Sequence, residues 1–314
     1  MLGAKSLYGI IGDPVLHSAS PVVHNTAFQH LGISAVFMAW QINPKLLPMA
    51  IQAVRALKIS GLAVTLPHKE KVIPFLDKLS IAAQRLGAVN TLYWEDDALV
   101  GHNCDIIGFM QPLRKRPCPQ NALILGAGGA ARAALGGLLA LPGIEIITVC
   151  ARREEQAKAL ISSLNQNRPT AQGQPDPIWT EFDSPDIECP NPNWADLKPM
   201  PKQPQIKTAT WEQRNDIQAD LIVNATPLGL DTAEPAQSPR NIFGKKGLAY
   251  DLIYNDTPFL QAAQKSGWDA INGREMFICQ AAEQFKIWTG QALPLKSVIA
   301  LDKFLNLAKN NASD

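Results

Sequence analysis

The 314-residue sequence is poor in cysteine and histidine, carries no excess of either charge, and has no long uninterrupted apolar run. Its five cysteines (Cys104, Cys118, Cys150, Cys189, Cys279) lie far apart without a C-x-x-C pair, which argues against both a zinc cluster and a disulfide framework. The five histidines (His17, His24, His30, His68, His102) show neither H-x-x-x-H nor H-E-x-x-H spacing. No metal site is expected, and most of them are expected in turns or at the surface. Lys plus Arg number 29 against 28 Asp plus Glu, so a net charge of +1 gives no electrostatic hold on nucleic acid or an anionic membrane. The most apolar stretch, 122–140, is broken by Gly126, Gly128, Gly129 and Arg132, short of the roughly 18 residues a membrane helix needs. Asp13-Pro14 likewise interrupts the start before it reaches signal-peptide length. A soluble, cytoplasmic protein is expected.

What is present is ordinary globular composition, 46% hydrophobic and 18% charged, in a chain long enough for two domains. The apolar pattern predicts strands at 7–11, 36–42 and 61–66 and a helix at 46–57, with Ser20 as N-cap and Pro21 in the first turn of another helix. Such alternation implies an α/β sheet flanked by helices. Residues 114–120 read as a connector. Beyond it the pattern predicts a strand (121–125), a glycine turn, a helix to 141 and a strand at 145–150, a complete βαβ unit. Nine prolines fall between Pro169 and Pro204, so 166–207 reads as an insertion in the second domain. Strands are expected again at 220–224 and 248–253, and two amphipathic helices at 275–289 and 295–309.

Gly126-Ala127-Gly128-Gly129-Ala130-Ala131 is a G-x-G-x-x-A turn between a strand and a helix. The first glycine permits the tight turn, the second clears space for a pyrophosphate, and the small sixth residue lets helix pack on strand. This is a dinucleotide site. After the second strand, where an NAD site carries an acid for the ribose hydroxyl, the chain offers Arg152 and Arg153 before Glu154 and Glu155. Arginine's planar fork suits a 2′-phosphate, which favours NADP(H).

The first half carries Gly12-Asp-Pro-Val-Leu-His17-Ser18-Ala-Ser20-Pro21-Val-Val-His24-Asn25, followed by Val64-Thr65-Leu-Pro67-His-Lys69 and Gly87-Ala-Val-Asn90-Thr91. Asn103-Cys104-Asp105 with Gly108, Asn224-Ala-Thr226-Pro-Leu-Gly229, Tyr250-Asp251-Leu-Ile-Tyr254-Asn255 with Thr257-Pro258, and Gly273-x-x-Met276-x-x-x-Gln280 complete the series. In this order, over nearly the whole chain, the blocks resemble the shikimate dehydrogenase family. The resemblance implies an α/β substrate domain (1–108 and 276–314) and a Rossmann NADP domain (109–275), with the C-terminal helices returning to the former.

By that resemblance, Lys69 and Asp105 form the catalytic pair in the NADPH-linked reduction of 3-dehydroshikimate to shikimate, a step towards chorismate and the aromatic amino acids. Ser18, Ser20, Thr65, Asn90, Asp105, Tyr254 and Gln280 would contact substrate. Gly126, Ala127, Gly128, Gly129, Ala130, Arg152, Arg153, Thr226, Leu252, Gly273 and Met276 would hold the cofactor. Read without it, Ser20 is a plain N-cap, Thr65 and Asn90 are turn or capping residues, Tyr254 is a core aromatic and Gln280 an exposed helix polar. Two positions depart from the family pattern: Ala63 stands for a frequent Asn, and Cys104 for a frequent Thr. They leave open a quinate/shikimate dehydrogenase of relaxed substrate or NAD use, and a weakly catalytic NADP- or shikimate-binding regulatory module. Small-molecule partners only are expected, with no nucleic acid or membrane, in a monomer or homodimer.

Overall fold

The computed structural model describes residues 6–114, 116–141, 143–166, 204–229 and 246–311. The expected proline-rich insertion lies outside them, apart from residue 166 and residues 204–207. The chain divides into two compact units, Met1–Cys104 with Ile278–Asp314, and Asp105–Phe277.

The first unit holds strands β1 (Ser6–Gly12), β2 (Ala35–Gln41), β3 (Gly61–Val64), β4 (Lys78–Leu79), β5 (Thr91–Glu95) and β6 (Ala98–His102), in the order β2-β1-β3-β5-β6-β4. β1 pairs parallel with β2 and β3, whereas β5 runs antiparallel to β3 and β6. The β5–β6 hairpin, absent from the expected pattern, turns on Asp96, whose φ of +53° supplies the left-handed step of a two-residue loop. Its helices are α1 (Ser20–Leu31), α2 (Leu47–Ala56) and α3 (Ile81–Leu86). α1 ends on Gly32 at φ +67°, with the Ile33 amide donating to the Phe28 carbonyl.

Side-chain alternation along β3 divides the core into two layers. Leu62 and Val64 face Leu47, Ile51 and Leu92, while Ala63 faces Tyr8, Phe28, Phe37 and Phe285. Ala63 therefore serves an apolar layer.

The second unit carries β7 (Asn121–Leu125), β8 (Ile146–Ala151), β9 (Gln205–Thr210), β10 (Leu221–Asn224), β11 (Leu248–Asp251) and β12 (Asp269–Ile271). All pair parallel, in the order β12-β11-β10-β7-β8-β9. This is a doubly wound sheet whose order reverses between β7 and β10, the point at which such sheets bind ligands beyond their strand ends. β7 and β10 are runs of buried aliphatics, as a sheet covered on both faces requires. Helices α4 (Asp105–Arg114), α5 (Gly129–Leu139), α6 (Glu154–Gln166) and α7 (Pro258–Lys265) accompany them. α8 (Arg274–Thr289) starts in the second unit and runs into the first, and α9 (Leu295–Asn311) belongs to the first. Among the described residues no helix is long and apolar enough to cross a membrane.

Three of the five histidines are buried, against the expectation that most lie in turns or at the surface. His24 stacks on Phe37 and packs against Trp288, and burial pushes its pKa down to about 3. The folded protein thus keeps His24 neutral where the unfolded chain would protonate it. Its contribution to stability is complete above about pH 6.5 and is lost as pH falls towards 3. Between pH 7 and pH 5, His24 accounts for about 2 kcal/mol of lost stability, at about 1.36 kcal/mol per pH unit below the unfolded value. The difference between urea midpoints at the two pH values should narrow in His24→Phe without closing, since burial also pushes His102 down to about 4; an unchanged difference would rule this out.

Candidate active site

Several segments that carry expected substrate residues are tied to one asparagine. Asn90 is 2% exposed and precedes β5. Its carbonyl accepts from the Val64 amide (2.8 Å) and from Gln284 Nε2 (3.1 Å), while its side-chain Oδ1 accepts from the Cys104 amide (2.8 Å) and Thr91 Oγ1 (2.7 Å). Its own amide donates to the His102 carbonyl at 3.0 Å, and the neighbouring Val89 amide donates to the Lys69 carbonyl at 2.8 Å. The end of β3, the loop bearing Lys69, the peptide leading to Asp105 and helix α8 are thereby fixed against a single short segment. Asp105 follows as the buried first residue of α4, where an acid also complements the helix N-terminus. Asn103 reinforces the arrangement by donating to the Ala88 carbonyl (2.9 Å).

Sequence reasoning missed Gln284. It is 2% exposed, one turn beyond the half-buried Gln280 on α8, and its Nε2 also reaches Thr91 Oγ1 (3.0 Å). No local signal marks it, because its partners lie more than 190 positions away.

Thr65 stands just past β3, where its amide donates to the Ile11 carbonyl and the Asp13 amide donates to the Leu66 carbonyl. A Cβ on Gly12 would collide with the Thr65 side chain, so glycine there is what lets the 12–18 and 65–69 loops touch. On the first of these loops Ser18 Oγ donates to Ser20 Oγ and accepts from the Ser20 amide, both at 3.2 Å. Ser20 is not the N-cap expected of it. Ala19 holds that position and Ser20 is the first helical residue, so the two hydroxyls meet at the start of α1. Asn25, by contrast, is structural: its amide brackets Phe37 of the edge strand β2, accepting from the Phe37 amide and donating to the Phe37 carbonyl.

The second unit assembles the expected dinucleotide residues. Gly126 has φ +114°, and a Cβ there would lie 2.9 Å from the Ala225 carbonyl oxygen and 3.2 Å from Thr226 Cγ2. Gly128 has an extended backbone and caps α5, yet a Cβ there would meet nothing within 4 Å. Protein packing explains the first glycine and not the second. The open room lies before a helix start whose first amides have no carbonyl one turn back, and it suits a pyrophosphate. Ala131, fully buried, lets α5 sit close on its strand. A Cβ on Gly273 would collide with the Leu252 carbonyl, so these two expected cofactor residues touch through their backbones, with Met276 buried one turn on.

Arg152 and Arg153 are exposed after β8, as a diphosphate-remote phosphate site requires. The first acid that follows, Glu154, already accepts from Thr208 Oγ1 (3.1 Å) and pairs with Lys158 (3.0 Å). Those two hydrogen bonds hold its carboxyl below the usual range. Tyr254 packs against Phe277 with ring centroids 5.6 Å apart, and burial raises its phenol pKa.

Asn90→Ala would leave the buried Cys104 amide and Thr91 hydroxyl without their acceptor, a loss of about 2–6 kcal/mol at about 1–3 per orphaned group. Gln284→Leu leaves the Asn90 carbonyl bonded to the Val64 amide and should lose about 1 kcal/mol or less. Thermal unfolding of the two variants side by side checks the ranking; equal losses would show that Asn90 is not the junction.

Comparison with known proteins agrees with this geometry. Residues 10–92 match the family model described as shikimate dehydrogenase substrate binding domain, and 273–301 match the shikimate 5'-dehydrogenase C-terminal domain. A shikimate dehydrogenase (NADP(+)) of Pelobacter propionicus is 40% identical over 297 residues, covering 92% of each chain. The crystal structure of shikimate dehydrogenase from Aquifex aeolicus is 30% identical with a TM-score of 0.75, covering 96% of this chain and 99% of that one. The shikimate 5-dehydrogenase from Thermus thermophilus, solved in complex with NADP(H) and shikimate, is also 30% identical, with a TM-score of 0.74 over 96% of this chain and 100% of that one. With 40% identity sustained along nearly its whole length, the chain belongs to the shikimate dehydrogenase family.

Proposed function

We propose that the chain is an NADP-dependent shikimate dehydrogenase that interconverts 3-dehydroshikimate and shikimate, with Lys69 and Asp105 as its catalytic residues. One observation carries the residue assignment: the Lys69 carbonyl and the Cys104 amide, the peptide steps beside the two catalytic groups, are bonded to the adjacent residues Val89 and Asn90. NADPH, when bound, supplies the hydride to the ketone carbon. Lys69 Nζ stabilises the charge that develops on the ketone oxygen and gives it a proton; in the oxidative direction it takes the proton back. Asp105, acceptor-only when ionised, orients the ammonium and a neighbouring ring hydroxyl. Ser18 and Ser20 turn their hydroxyls to the substrate carboxylate, and Thr65, Asn90, Tyr254 and Gln280 bind the remainder. Arg152 and Arg153 take the 2′-phosphate of the cofactor, since Glu154 is already engaged by Lys158 and Thr208. The names of the relatives favour this reading over a quinate enzyme or a regulatory module. A reducing, cytoplasmic setting belongs to it, in keeping with described cysteines that form no disulfide.

Purified protein given shikimate and NADP⁺ should raise the absorbance of reduced nicotinamide. Lys69→Ala should retain NADPH binding and lose turnover by roughly 10²–10⁴-fold; unaltered turnover would remove Lys69 from its role. The two glycines should separate folding from binding. Gly126→Ala is expected to lose about 1–3 kcal/mol of stability through its left-handed backbone. Gly128→Ala is expected to unfold as the parent does, within about 0.5 kcal/mol, while its KM for NADP⁺ rises. A Gly128→Ala protein with the parental KM would mean that the open room is not the pyrophosphate site.

A further inference from the structure

Asp251 ends β11 with no exposed surface, and the roles proposed above do not use it. Its Oδ1 accepts from Asn224 Nδ2 (3.0 Å) and the Ile253 amide (3.1 Å), and its Oδ2 accepts from Thr257 Oγ1. Burial pushes its pKa up to about 6, and the three donors oppose that rise, so it is charged at neutral pH.

A carboxylate can only accept, which settles the orientation of the Asn224 amide: nitrogen towards Asp251, oxygen away. That oxygen accepts from the Thr226 amide (3.1 Å) and Thr226 Oγ1 (2.6 Å). The hydrogen of Thr226 is therefore spent inwards; its oxygen accepts from the Leu228 amide (3.3 Å) and has one lone pair left to accept again. The same carboxylate holds the other loop. Thr257 is the N-cap of α7, and with the Ile253 amide it closes the turn carrying Leu252 and Tyr254. An apolar pair in this space would join the two strand ends but would not orient an amide.

We propose that Asp251 is a positioning residue for the dinucleotide, acting through Asn224 to present Thr226 as a hydrogen-bond acceptor and through Thr257 to hold the Leu252–Tyr254 turn. This rests on the NADP reading above. The test measures NADPH dissociation constants by nicotinamide fluorescence for the full-length parent, Asp251→Asn, Thr226→Val and the double variant, each with its unfolding midpoint. Asp251→Asn should weaken NADPH binding about tenfold, because the NH2 of an amide at 251 meets groups that themselves donate, from Asn224, Ile253 and Thr257, and so strains the loops they hold. In the Thr226→Val background the same change should cost less than threefold. A dissociation constant within twofold of the parent, with only the midpoint lowered, overturns the proposal, as does the full tenfold effect in the double variant. Should Asp251→Asn fail to fold, Thr257→Val removes its bond to Asp251 together with the cap on the Leu260 amide and keeps the charge; about threefold weaker binding is expected, and parental binding overturns the proposal. A parent that binds no NADPH overturns the proposed function instead.

Discussion

Asn90 is the constraint on which the substrate side of this protein depends. Four groups donate to one residue: two to its carbonyl and two to its side-chain oxygen. The donors come from β3, β5, the 103–105 segment and α8, which are well separated along the sequence. A buried oxygen that satisfies two donors leaves neither segment free to shift without orphaning a polar group. Pre-organisation of this kind fixes the backbone of the loop that bears Lys69 and of the peptide ahead of Asp105 without any ordering at the moment of binding.

The second unit solves the corresponding problem by topology. Strand order reverses between β7 and β10, where sheets of this kind bind ligands beyond their strand ends, and two close backbone approaches occur on the loops there. Gly126 lies against the Ala225 carbonyl and Gly273 against that of Leu252, while Gly128 is bare for the opposite reason. One sequence motif thus contains glycines of two kinds, one that packing requires and one beside which packing leaves open room. Asp251 then adds what glycines cannot, a fixed direction for hydrogen bonds along the loops they allow to approach.

Much of this was legible in the sequence because the signals are local. The strand at 121–125 and the helix beginning after Gly128 follow from a short run of aliphatics and three glycines, with no partner elsewhere needed to recognise them. The first unit was read as simple α/β alternation, and its β5–β6 hairpin escaped because Asp96-Asp97 carries no glycine to announce a left-handed turn. Ser20 was misplaced by one residue, since Pro21 suits either of the first helical positions. The buried histidines looked like surface residues because an imidazole carries no sequence mark of its burial; the aromatic side chains of Phe37, Phe285 and Trp288 around His24 come from two other elements, β2 and α8. Gln284 and Asp251 were out of reach for the same reason, their meaning residing in partners brought together only by folding.

The two departures from the family pattern also find physical accounts. Ala63 lies among Phe28, Phe37 and Phe285, where an amide would need partners that this apolar layer does not offer, so its methyl is the consistent choice here. Cys104 is less neutral. Thr91 has one hydroxyl hydrogen, and Asn90 Oδ1, already an acceptor from the Cys104 amide, claims it at 2.7 Å. The 3.3 Å contact between Thr91 Oγ1 and Cys104 Sγ must then run from thiol to hydroxyl, with Gln284 Nε2 as the second donor to that oxygen. A thiol donates weakly, but here it completes the coordination of a hydroxyl whose stronger bonds are already made. The substitution falls on the least demanding contact of the Asn90 junction, which is why the junction can keep its geometry around it.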